Sequence, residues 1–554
     1  MELETFIRKV LLDNAKKYDG TCTPKAVLGA VMREFPDLRS DAQKVSALAQ
    51  RLADKINALS LDEQAVLLEK LGGSDAPEKE ERDPFLLDHP SPVLRFEPSP
   101  SGPMHIGHAF TLGLNHLLAA RNDGKLILRI ADTNPENIYP PAYDLLVEDA
   151  SWYTHDNISE VAIQSDRMEL YYSYAERMLS AGWAYVCTCE PEEFRSRINT
   201  KQACPCRELP PAIALERWQL MLTSYLPGEA VMRIKTDVAH KNPAMRDWPA
   251  MRVNTSSHPR KGTQYRVWPL MNFSVSVDDM EMGVTHVLRA KDHADNAKRQ
   301  EFMYNYFGKP IPVVYNVGRI NFTDLRLSTT VTRKLIDEGA FSGWDDVRLP
   351  FFQSLKRRGF TAEAFLRQAQ EIGISRADKT LSQEEYFTNI ESFNRDIIDK
   401  DSDRVFFVAN PERIVVQDAV SVVVTKDMYP GLRPGGREFA LGSEVFVDPE
   451  DIKDAGGVLF RFMDGYNFSF EDGSFVYCGD SLEEFKAAKK RRMVHYLPAK
   501  HPVQEVTLLM PEGSQVGGIV EERAASYPAG ATLQFERVGF VRKDSEGVFC
   551  FGHR

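Results

Sequence analysis

The chain has 554 residues, of which 43% are hydrophobic and 27% charged, an ordinary composition for a soluble globular protein. It is too long for one hydrophobic core, so about three to five domains are expected. No apolar run approaches the roughly 20 residues that span a bilayer, and Met1–Glu4 carries acid where a secretory signal carries base. The net charge of -12 argues against a protein that coats nucleic acid non-specifically. We therefore expect a cytoplasmic protein that makes no membrane contact.

The first 75 residues or so predict helices. Apolar residues recur at helical spacing in Phe6–Ala15 and Val45–Ile56, and Asp41 is placed to cap the second run. Residues 72–84 combine glycine, proline and mixed charge, which is typical of a linker. We therefore expect an N-terminal helical extension and linker over residues 1–84.

A strand–helix–strand pattern follows. Val93–Phe96 predicts a strand, a helix begins near His105, and Lys125–Ile130 predicts a buried strand. Such a βαβ unit indicates a parallel sheet that binds its ligands at the strand ends. The pattern returns at Thr285–Arg289 and Pro312–Tyr315, so both halves are assigned to one α/β domain.

The rest of the chain divides by composition. The α/β domain is placed at 85–345, with an insertion of mixed character at about 185–264 between its halves. Helices dominate in a connector at 346–403. From 404 to 554, short β runs separated by glycine and proline predict a barrel.

Four of the seven cysteines lie in the insertion as two C-x-C pairs: Cys187, Cys189, Cys204 and Cys206. A disulfide framework spreads its cysteines along a secreted chain, whereas two close pairs in a cytosolic protein favour a tetrahedral zinc–thiolate site. Because the spacing is not the commoner C-x-x-C, a cluster of reduced thiols and a three-thiolate site stay open as alternatives. We favour one structural Zn²⁺.

The segment from Arg95 to His108, R-F-E-P-S-P-S-G-P-M-H-I-G-H, carries the strongest chemical signal. It joins a strand to a helix N-terminus, where free backbone N–H groups and the helix dipole favour anions. Gly102 and Gly107 let a nucleotide approach the backbone closely. His105 and His108 lie on one side of the helix start and can both donate to phosphate oxygens. The segment therefore predicts a nucleotide site in preference to an incidental or metal-binding H-x-x-H pair.

This segment resembles the HIGH signature of class I aminoacyl-tRNA synthetases, in the form used by their glutamyl/glutaminyl branch, which is close to R-F-A-P-S-P-S-G-x-L-H-I-G-H. The likeness continues in family order through Asp132–Pro135, Asn242–Asp247, Asp278–Asn296, Gly343–Pro350 and Phe393–Arg395. The helical N-terminal segment and β-rich C-terminal third are similar to the archaeal type of glutamyl member, since bacterial ones end in helices. The resemblance implies a multidomain α/β protein: a Rossmann-like catalytic domain, an acceptor-binding insertion, a helical connector and a C-terminal anticodon-binding β-barrel.

The resemblance also implies an ATP-dependent ligase that forms glutamyl-adenylate and transfers glutamate to tRNA, using ATP with Mg²⁺ and L-glutamate. His105 and His108 are the expected catalytic residues, and the expected ATP-binding set is Gly102, His105, Gly107, His108, Leu327 and Ser328. Arg289 selects glutamate over glutamine, because a buried guanidinium pairs with a side-chain carboxylate and glutamyl members carry arginine there. Arg95 is a second candidate to bind glutamate. For each arginine a structural salt bridge is the alternative.

Contacts with tRNA are likewise implied by the resemblance. We expect Asp295, Asn394 and Arg395 to bind tRNA, and the region from 404 onward to read the anticodon. Four aromatic residues there, if not buried in the core, could stack on bases: Phe460, Phe462, Tyr466 and Phe468. A monomer is expected.

Three positions depart from the family's pattern. In the second signature, of KMSKS type, the lysine is replaced by Val331, and Arg333 or Lys334 is left to substitute. A second acid that receives the substrate ammonium is replaced by Ala131, and a tyrosine by Met271. Losing a carboxylate that pairs with a buried ammonium costs about 2–5 kcal/mol.

Two interpretations follow from these departures. One is a working glutamyl enzyme, with charging of tRNA(Gln) as a further activity left open. The other is a synthetase-like paralogue that binds tRNA or nucleotide with weak or no charging. A glutaminyl enzyme is a third, and a zinc-containing RNA-binding protein has little support beyond the cysteines and two basic patches. Because the HIGH segment, Arg95 and Arg289 are retained, we favour the first.

Overall fold

The computed structural model describes residues 3–18, 20–71 and 83–554, and it divides into two compact units, Met1–Asp83 and Pro84–Arg554. The described part of the first unit forms four α-helices: α1 (Leu3–Lys17), α2 (Lys25–Glu34), α3 (Ala42–Asn57) and α4 (Leu61–Lys70). Asp41 precedes α3, but its carboxylate pairs with Lys44 at 2.8 Å and does not cap the helix. The predicted helical segment is helical, whereas most of the predicted linker, residues 72–82, lies outside the described residues.

The second unit begins with an α/β region whose elements alternate: β1 (Val93–Phe96), α5 (Ile106–Ala120), β2 (Lys125–Ile130), α6 (Ala142–Thr154), β3 (Glu160–Ile163) and α7 (Met168–Ser180). An inserted antiparallel sheet follows, with two helices: β4 (Ala184–Cys187), α8 (Pro191–Asn199), α9 (Pro211–Thr223), β5 (Val231–Ile234), β6 (Pro249–Val253) and β7 (Val267–Pro269). The insertion packs around the fully buried Trp218 and Trp268, in a core that it shares with α7.

The α/β pattern then resumes with α10 (Met271–Glu281), β8 (His286–Ala290), α11 (Ala294–Phe307), β9 (Val313–Val317), β10 (Ile320–Phe322) and α12 (Thr329–Asp337). The connector adds α13 (Phe352–Arg357), α14 (Ala362–Ile372), β11 (Lys379–Leu381) and α15 (Gln383–Ile398). Helix α14 packs on α5, so the connector shares the core of the α/β region.

The parallel strands bring the two halves together. β1 pairs with β2 and β2 with β3, all parallel, and β8 pairs with β9 in parallel. Thr285 N donates to Val93 O at 3.0 Å, which sets β8 beside β1 and gives the order β3-β2-β1-β8-β9. Leu94, Leu126 and Leu128 are fully buried between the flanking helices. This is the parallel sheet that the sequence predicted, with its strand ends at one edge.

The C-terminal region is β-rich, as expected. Its elements are β12 (Asp403–Val405), β13 (Phe407–Ala409), β14 (Glu412–Gln417), β15 (Val422–Tyr429), β16 (Arg433–Leu441), β17 (Glu444–Val447), α16 (Pro449–Ile452), β18 (Leu459–Phe462), β19 (Asn467–Glu471), β20 (Ser474–Tyr477), α17 (Leu482–Ala487), β21 (Arg491–Val494), β22 (Leu497–Pro498), β23 (Val503–Leu509), β24 (Gln515–Glu521), β25 (Thr532–Phe535), β26 (Gly539–Ser545) and β27 (Val548–His553).

Fourteen of these strands form two seven-stranded sheets, and β15 and β16 pair as a separate two-stranded sheet, where the sequence predicted one barrel. The edge strands of one sheet are β12 and β13. A single residue separates these two strands in the chain, so the two edges of the sheet must lie close together. The other runs from β21 to β22, also neighbours in the chain. The four aromatic residues that could stack on bases only if exposed lie on β18, on β19 and in the turn between them. All four are fully buried in the core and so cannot stack on bases: Phe460, Phe462, Tyr466 and Phe468.

Among the described residues, no helix is both long and apolar enough to cross a membrane.

Candidate active site

A cavity of about 540 Å³ lies at the carboxyl ends of the parallel strands. Side chains on or just after β1, β2 and β8, together with the starts of α5 and α10, form its wall. The wall includes Arg95, Glu97, His108, Arg129, Ala131, Met271 and Arg289. The sequence had predicted ligands at this edge of the sheet, and the two candidate arginines and one candidate histidine do meet there.

Arg95 is held by carboxylates of the protein itself. Its guanidinium Nε donates to Asp279 Oδ1 at 3.1 Å and Nη2 to Oδ2 at 3.4 Å, and Nη1 lies 3.6 Å from Glu97 Oε1. Burial alone would lower the pKa of Arg95, but the Asp279 and Glu97 charges raise it above its ordinary value. Arg95 is therefore a compensated charge, and the alternative of a structural salt bridge describes it well.

Arg289 is held differently. It is 7% exposed, and its one hydrogen bond to the described residues runs from Nη2 to Gln300 Oε1 at 3.0 Å, leaving Nε without a partner. Burial and the neighbouring Arg95 both lower the pKa of Arg289. A guanidinium that lines a cavity and has no carboxylate of the described residues bonded to it is a ready partner for an incoming carboxylate.

The two histidines are locked by the helix start. His105 precedes α5, and its Nδ1 accepts from Gly107 N at 3.1 Å, while His108 Nδ1 accepts from His105 N at 3.2 Å. With both Nδ1 atoms used as acceptors, the ring proton of each neutral histidine lies on Nε2. Burial lowers the pKa of His108 to about 4, and burial together with His108 lowers that of His105. Each ring thus offers one neutral N–H donor.

Gly107 makes this arrangement fit. A Cβ at Gly107 would lie 2.8 Å from His105 Cε1 and 3.0 Å from Leu327 Cδ1. The segment that carries the second signature therefore packs against the HIGH segment. Ser101 Oγ and Thr329 Oγ1 are hydrogen-bonded at 2.8 Å, a second link between the two.

The second signature keeps its shape but not its charge. Ser328 caps α12 by accepting from Val331 N at 3.4 Å, and the Val331 side chain is 57% exposed. Whether Arg333 or Lys334 substitutes for the lysine stays a prediction, and both side chains already have a partner in the described structure. Arg333 lies over the Tyr139 ring at 5.6 Å, and Lys334 lies 3.7 Å from Glu338.

The predicted tRNA contacts divide into two groups. Asp295 in the first turn of α11 and Arg395 on α15 are exposed, and for them the prediction stands untested. Asn394 is fully buried: it accepts from Thr361 N at 2.8 Å and contacts His553 Nε2 at 2.9 Å. The structure therefore corrects the prediction for Asn394, which fastens the connector to the C-terminal strand and has no face to offer tRNA.

The four insertion cysteines converge. Cys187 lies beside Cys204 and Cys189 beside Cys206, each pair with sulfurs 3.8 Å apart, and all four sulfurs lie within 4.8 Å of one another. Four thiolates about 2.3 Å from one tetrahedral ion would be about 3.8 Å apart. The donor set and its spacing thus suit a tetrahedral zinc ion.

A second polar cavity, of about 380 Å³, opens in the β-rich region. Its wall includes Arg404, Lys426, Asp464, Gln534 and Arg537. The Lys426 ammonium pairs with Asp464 at 2.8 Å, whereas the Gln534 side-chain amide makes no hydrogen bond to the described residues. Sequence reasoning named none of these residues, because single polar side chains on separate strands leave no spaced motif.

Two more residues were also missed, one in the wall of the first cavity and one behind it. Gln300 on α11 positions Arg289, and Glu97 stands where the family's HIGH string usually has alanine. Glu97 could be seen in the sequence as a departure from the family's alanine. Only the structure shows that it lies in the same cavity as Ala131, at the end of the neighbouring strand. No motif in the sequence marks Gln300, and its contact with Arg289 is visible only in the folded chain.

The family models and the curated relatives that this chain matches agree on one family. The family model for the catalytic domain of tRNA synthetases class I (E and Q) matches residues 93–400, and the model for their anti-codon binding domain matches residues 483–544. Glutamate–tRNA ligases of Methanothermobacter marburgensis and Methanocaldococcus jannaschii are 41% and 42% identical to this chain, each over all of both chains. A solved glutamate tRNA ligase from Elizabethkingia meningosepticum has 19% identity and a TM-score of 0.37, covering 56% of this chain and 70% of its own. With its catalytic model spanning more than half the chain and its relatives aligned end to end, this protein belongs to the class I tRNA synthetases of the E and Q kind.

Proposed function

We propose that this chain is a glutamate–tRNA ligase, which joins glutamate to ATP as glutamyl-adenylate and then passes the glutamyl group to tRNA. The observation that carries this choice of amino acid is Arg289, a guanidinium at the cavity wall with no carboxylate of the described residues bonded to it. A substrate carboxylate pairs with that cation through charge, whereas the neutral amide of glutamine does not. Arg289 therefore disfavours the glutaminyl enzyme, and the likeness to glutamate–tRNA ligases over the full length disfavours the paralogue without charging activity.

His105 and His108 are the proposed catalytic donors. Because both rings are neutral with Nδ1 acting as acceptor, they stabilise developing phosphoryl charge by hydrogen bonding from Nε2 and do not act as fixed cations. Synthetases of this kind use ATP with Mg²⁺, which here would enter with the nucleotide. Gly102, Gly107, Leu327 and Ser328 belong to the two signature segments that pack against each other and form the remaining proposed ATP contacts.

The tRNA is proposed to lie along one side of the second unit. The inserted sheet β4–β7 follows β3 and α7 and leads back to β8, which supports contact with the acceptor end near the exposed Asp295. The 380 Å³ cavity lies partly within the segment matched by the anticodon-binding model. A free amide at Gln534 beside cationic side chains suits a base edge and its phosphate. Charging of tRNA(Gln) remains part of the experiment below.

The cysteine cluster is proposed to hold one structural zinc ion that ties β4 to the loop before α9. Metal analysis of protein never exposed to chelator should find about one zinc per chain. Replacing Cys204 by serine should abolish it, whereas the distant Cys550→Ser should not. A metal-free wild-type protein would contradict the zinc site without touching the ligase proposal.

The function is tested by charging. Purified protein, ATP and Mg²⁺ are incubated with labelled glutamate or glutamine and with tRNA(Glu) or tRNA(Gln) transcripts. We expect glutamate to be attached to tRNA(Glu) and glutamine to neither transcript. Attachment of glutamine in preference to glutamate, or of neither amino acid, would refute the proposal.

A further inference from the structure

The charges around the first cavity are unequal. Within the described residues, its wall contains four arginines, Arg95, Arg129, Arg252 and Arg289, but a single carboxylate, Glu97. An amino acid arrives with an ammonium as well as its carboxylates, and a charge that leaves water needs a partner. Only one anionic group of the wall can supply that partner.

The placement of Glu97 explains the missing acid at position 131. Glu97 is the first residue after β1, and Ala131 is the first after the neighbouring strand β2. Ala131 N donates to Pro98 O at 2.9 Å, so the two strand ends stay hydrogen-bonded beyond the sheet. In the register of β1 and β2, Ala131 lies opposite the residue two positions after Glu97. Both side chains line the same cavity. An acid lost from one strand end is thus matched by an acid gained at the next.

Glu97 also has acceptor capacity left. Its Oε2 accepts from Arg129 Nη1 at 3.1 Å, and Oε1 lies 3.6 Å from Arg95 Nη1. An ionised carboxylate offers about four lone-pair sites, so sites remain for a further donor. The Glu97 side chain is 28% exposed, whereas Asp278 and Asp279, which pair with the same arginines, are fully buried. Among these three acids, Glu97 is the one a ligand can reach.

Its charge is assured by its surroundings. Burial would raise the pKa of Glu97, but Arg95, Arg129 and Arg289 together lower it below the ordinary value. The carboxylate is therefore ionised when the cavity is filled. Arg129 is meanwhile anchored by Asp278, which accepts from its Nε at 2.7 Å, so Arg129 does not need Glu97 to stay in place.

We propose that Glu97 binds the α-ammonium of the amino-acid substrate, in the role that Ala131 leaves vacant. Arg289 takes the side-chain carboxylate, so the two residues read the opposite ends of the same molecule. The identity of the amino acid rests on the proposed function, but the ammonium contact does not, because every amino acid carries that group.

The test separates the ammonium from the carboxylates. Glu97→Gln keeps the shape of the side chain and removes its charge, and glutarate has both carboxylates of glutamate without the ammonium. Binding of glutamate and of glutarate to full-length protein is measured by calorimetry, together with the KM for ATP in pyrophosphate exchange. We expect Glu97→Gln to weaken glutamate binding by about 30-fold or more, to leave glutarate binding unchanged or tighter, and to leave the KM for ATP unchanged. The exposed Glu160→Gln at the start of β3 is the control and should change none of these.

A rescue variant gives a second test. Glu97→Ala with Ala131→Glu puts the carboxylate back on the neighbouring strand end and should restore most of the preference for glutamate over glutarate. Equal losses of glutamate and glutarate in Glu97→Gln would show that Glu97 only supports Arg95 and Arg129, and would overturn the proposal. So would wild-type protein that binds glutarate as tightly as glutamate. If the wild type instead activates another amino acid, the ligase proposal fails, and the same comparison is made with that amino acid and its des-amino analogue.

Discussion

The β1 side and the β8 side of the cavity each present a buried arginine, and the two are held in different ways. On the β1 side, Arg95 makes two hydrogen bonds to Asp279 and has Glu97 beside it. On the β8 side, Arg289 has an amide partner in Gln300 and an unmet Nε. The charge of one arginine is thus paired with carboxylates of the protein, whereas the charge of the other, on the adjacent strand, is left for a ligand to pair.

The difference shows how to separate architecture from recognition in a charged pocket. A compensated charge stabilises the fold, and its loss leaves its partner buried and unpaired. An unpaired buried charge lowers the stability of the free protein, and a ligand of opposite charge removes that penalty when it binds. Sequence alone could not separate the two, because both arginines occur in family motifs.

The largest expected effect comes from exchanging the arginines one at a time. Arg95→Gln should lower the free energy of unfolding by about 3–5 kcal/mol, because it leaves Asp279 buried with little compensation. Arg289→Gln should leave that free energy within about 1 kcal/mol of wild type, since it removes a buried charge that is hydrogen-bonded to the Gln300 amide and to no carboxylate. Denaturant unfolding measures both values.

The same pair should behave in the opposite order towards substrate. Arg289→Gln should lower glutamate-dependent kcat/KM by about a hundredfold to a thousandfold, in the range of a lost buried charge partner, with the KM for ATP unchanged. If Arg289→Gln were the more destabilising of the two, or if it weakened ATP and glutamate alike, the contrast between the two sides of the cavity would be wrong.

His108→Ala tests a second group with an unused hydrogen-bond donor, the Nε2–H of the ring. His108 lines the cavity, and its Nδ1 is used by the backbone, which leaves the Nε2–H as the donor. We expect single-turnover adenylate formation to fall by roughly a hundredfold, as when a transition-state donor is removed. His116→Ala, at a partly buried position farther along α5, is the matched control and should change the rate little. An unchanged rate in His108→Ala would remove that histidine from the mechanism.

Sequence reasoning reached further on the α/β region than on the cavity. Apolar runs and the HIGH segment predicted β1, α5, β2 and the parallel sheet, because each of those patterns is local. The pairing of Arg95 with Asp279 joins residues 184 positions apart, and the buried state of Asn394 depends on the C-terminal strand. Contacts of that kind exist only in the folded chain, so the sequence could offer candidates but not tell which were already satisfied.

Val331→Lys asks whether charge alone is missing from the second signature. The residue is exposed in the first turn of α12, beside a segment bonded to the HIGH loop through Thr329. A lysine there should raise the rate of adenylate formation by about tenfold, the value of one charge-assisted contact to phosphate. Val415→Lys, on an exposed strand face of the C-terminal region, serves as the control. A rate that does not rise would mean that another cation already fills the role.

The smallest expected effect concerns pH. Burial lowers the pKa of His108 to about 4, so the folded protein keeps this ring neutral while the unfolded chain protonates it near pH 6.5. Its contribution to stability is therefore complete above about pH 6.5 and is lost as the pH falls towards 4. Adenylate formation measured between pH 6 and 8 should show no titration from this histidine. A step near pH 6.5 that disappears in His108→Ala would mean that the ring works as a cation.

The most direct test of the account is pyrophosphate exchange with glutamate and glutamine, each with and without tRNA, in wild type and Arg289→Gln. We predict exchange with glutamate in the wild type, with tRNA supplied if the enzyme requires it, and its near loss in Arg289→Gln. Glutamine should support no exchange above background in the wild type. Exchange that prefers glutamine, or glutamate exchange that survives in Arg289→Gln, would contradict the assignment of the uncompensated arginine to the substrate carboxylate.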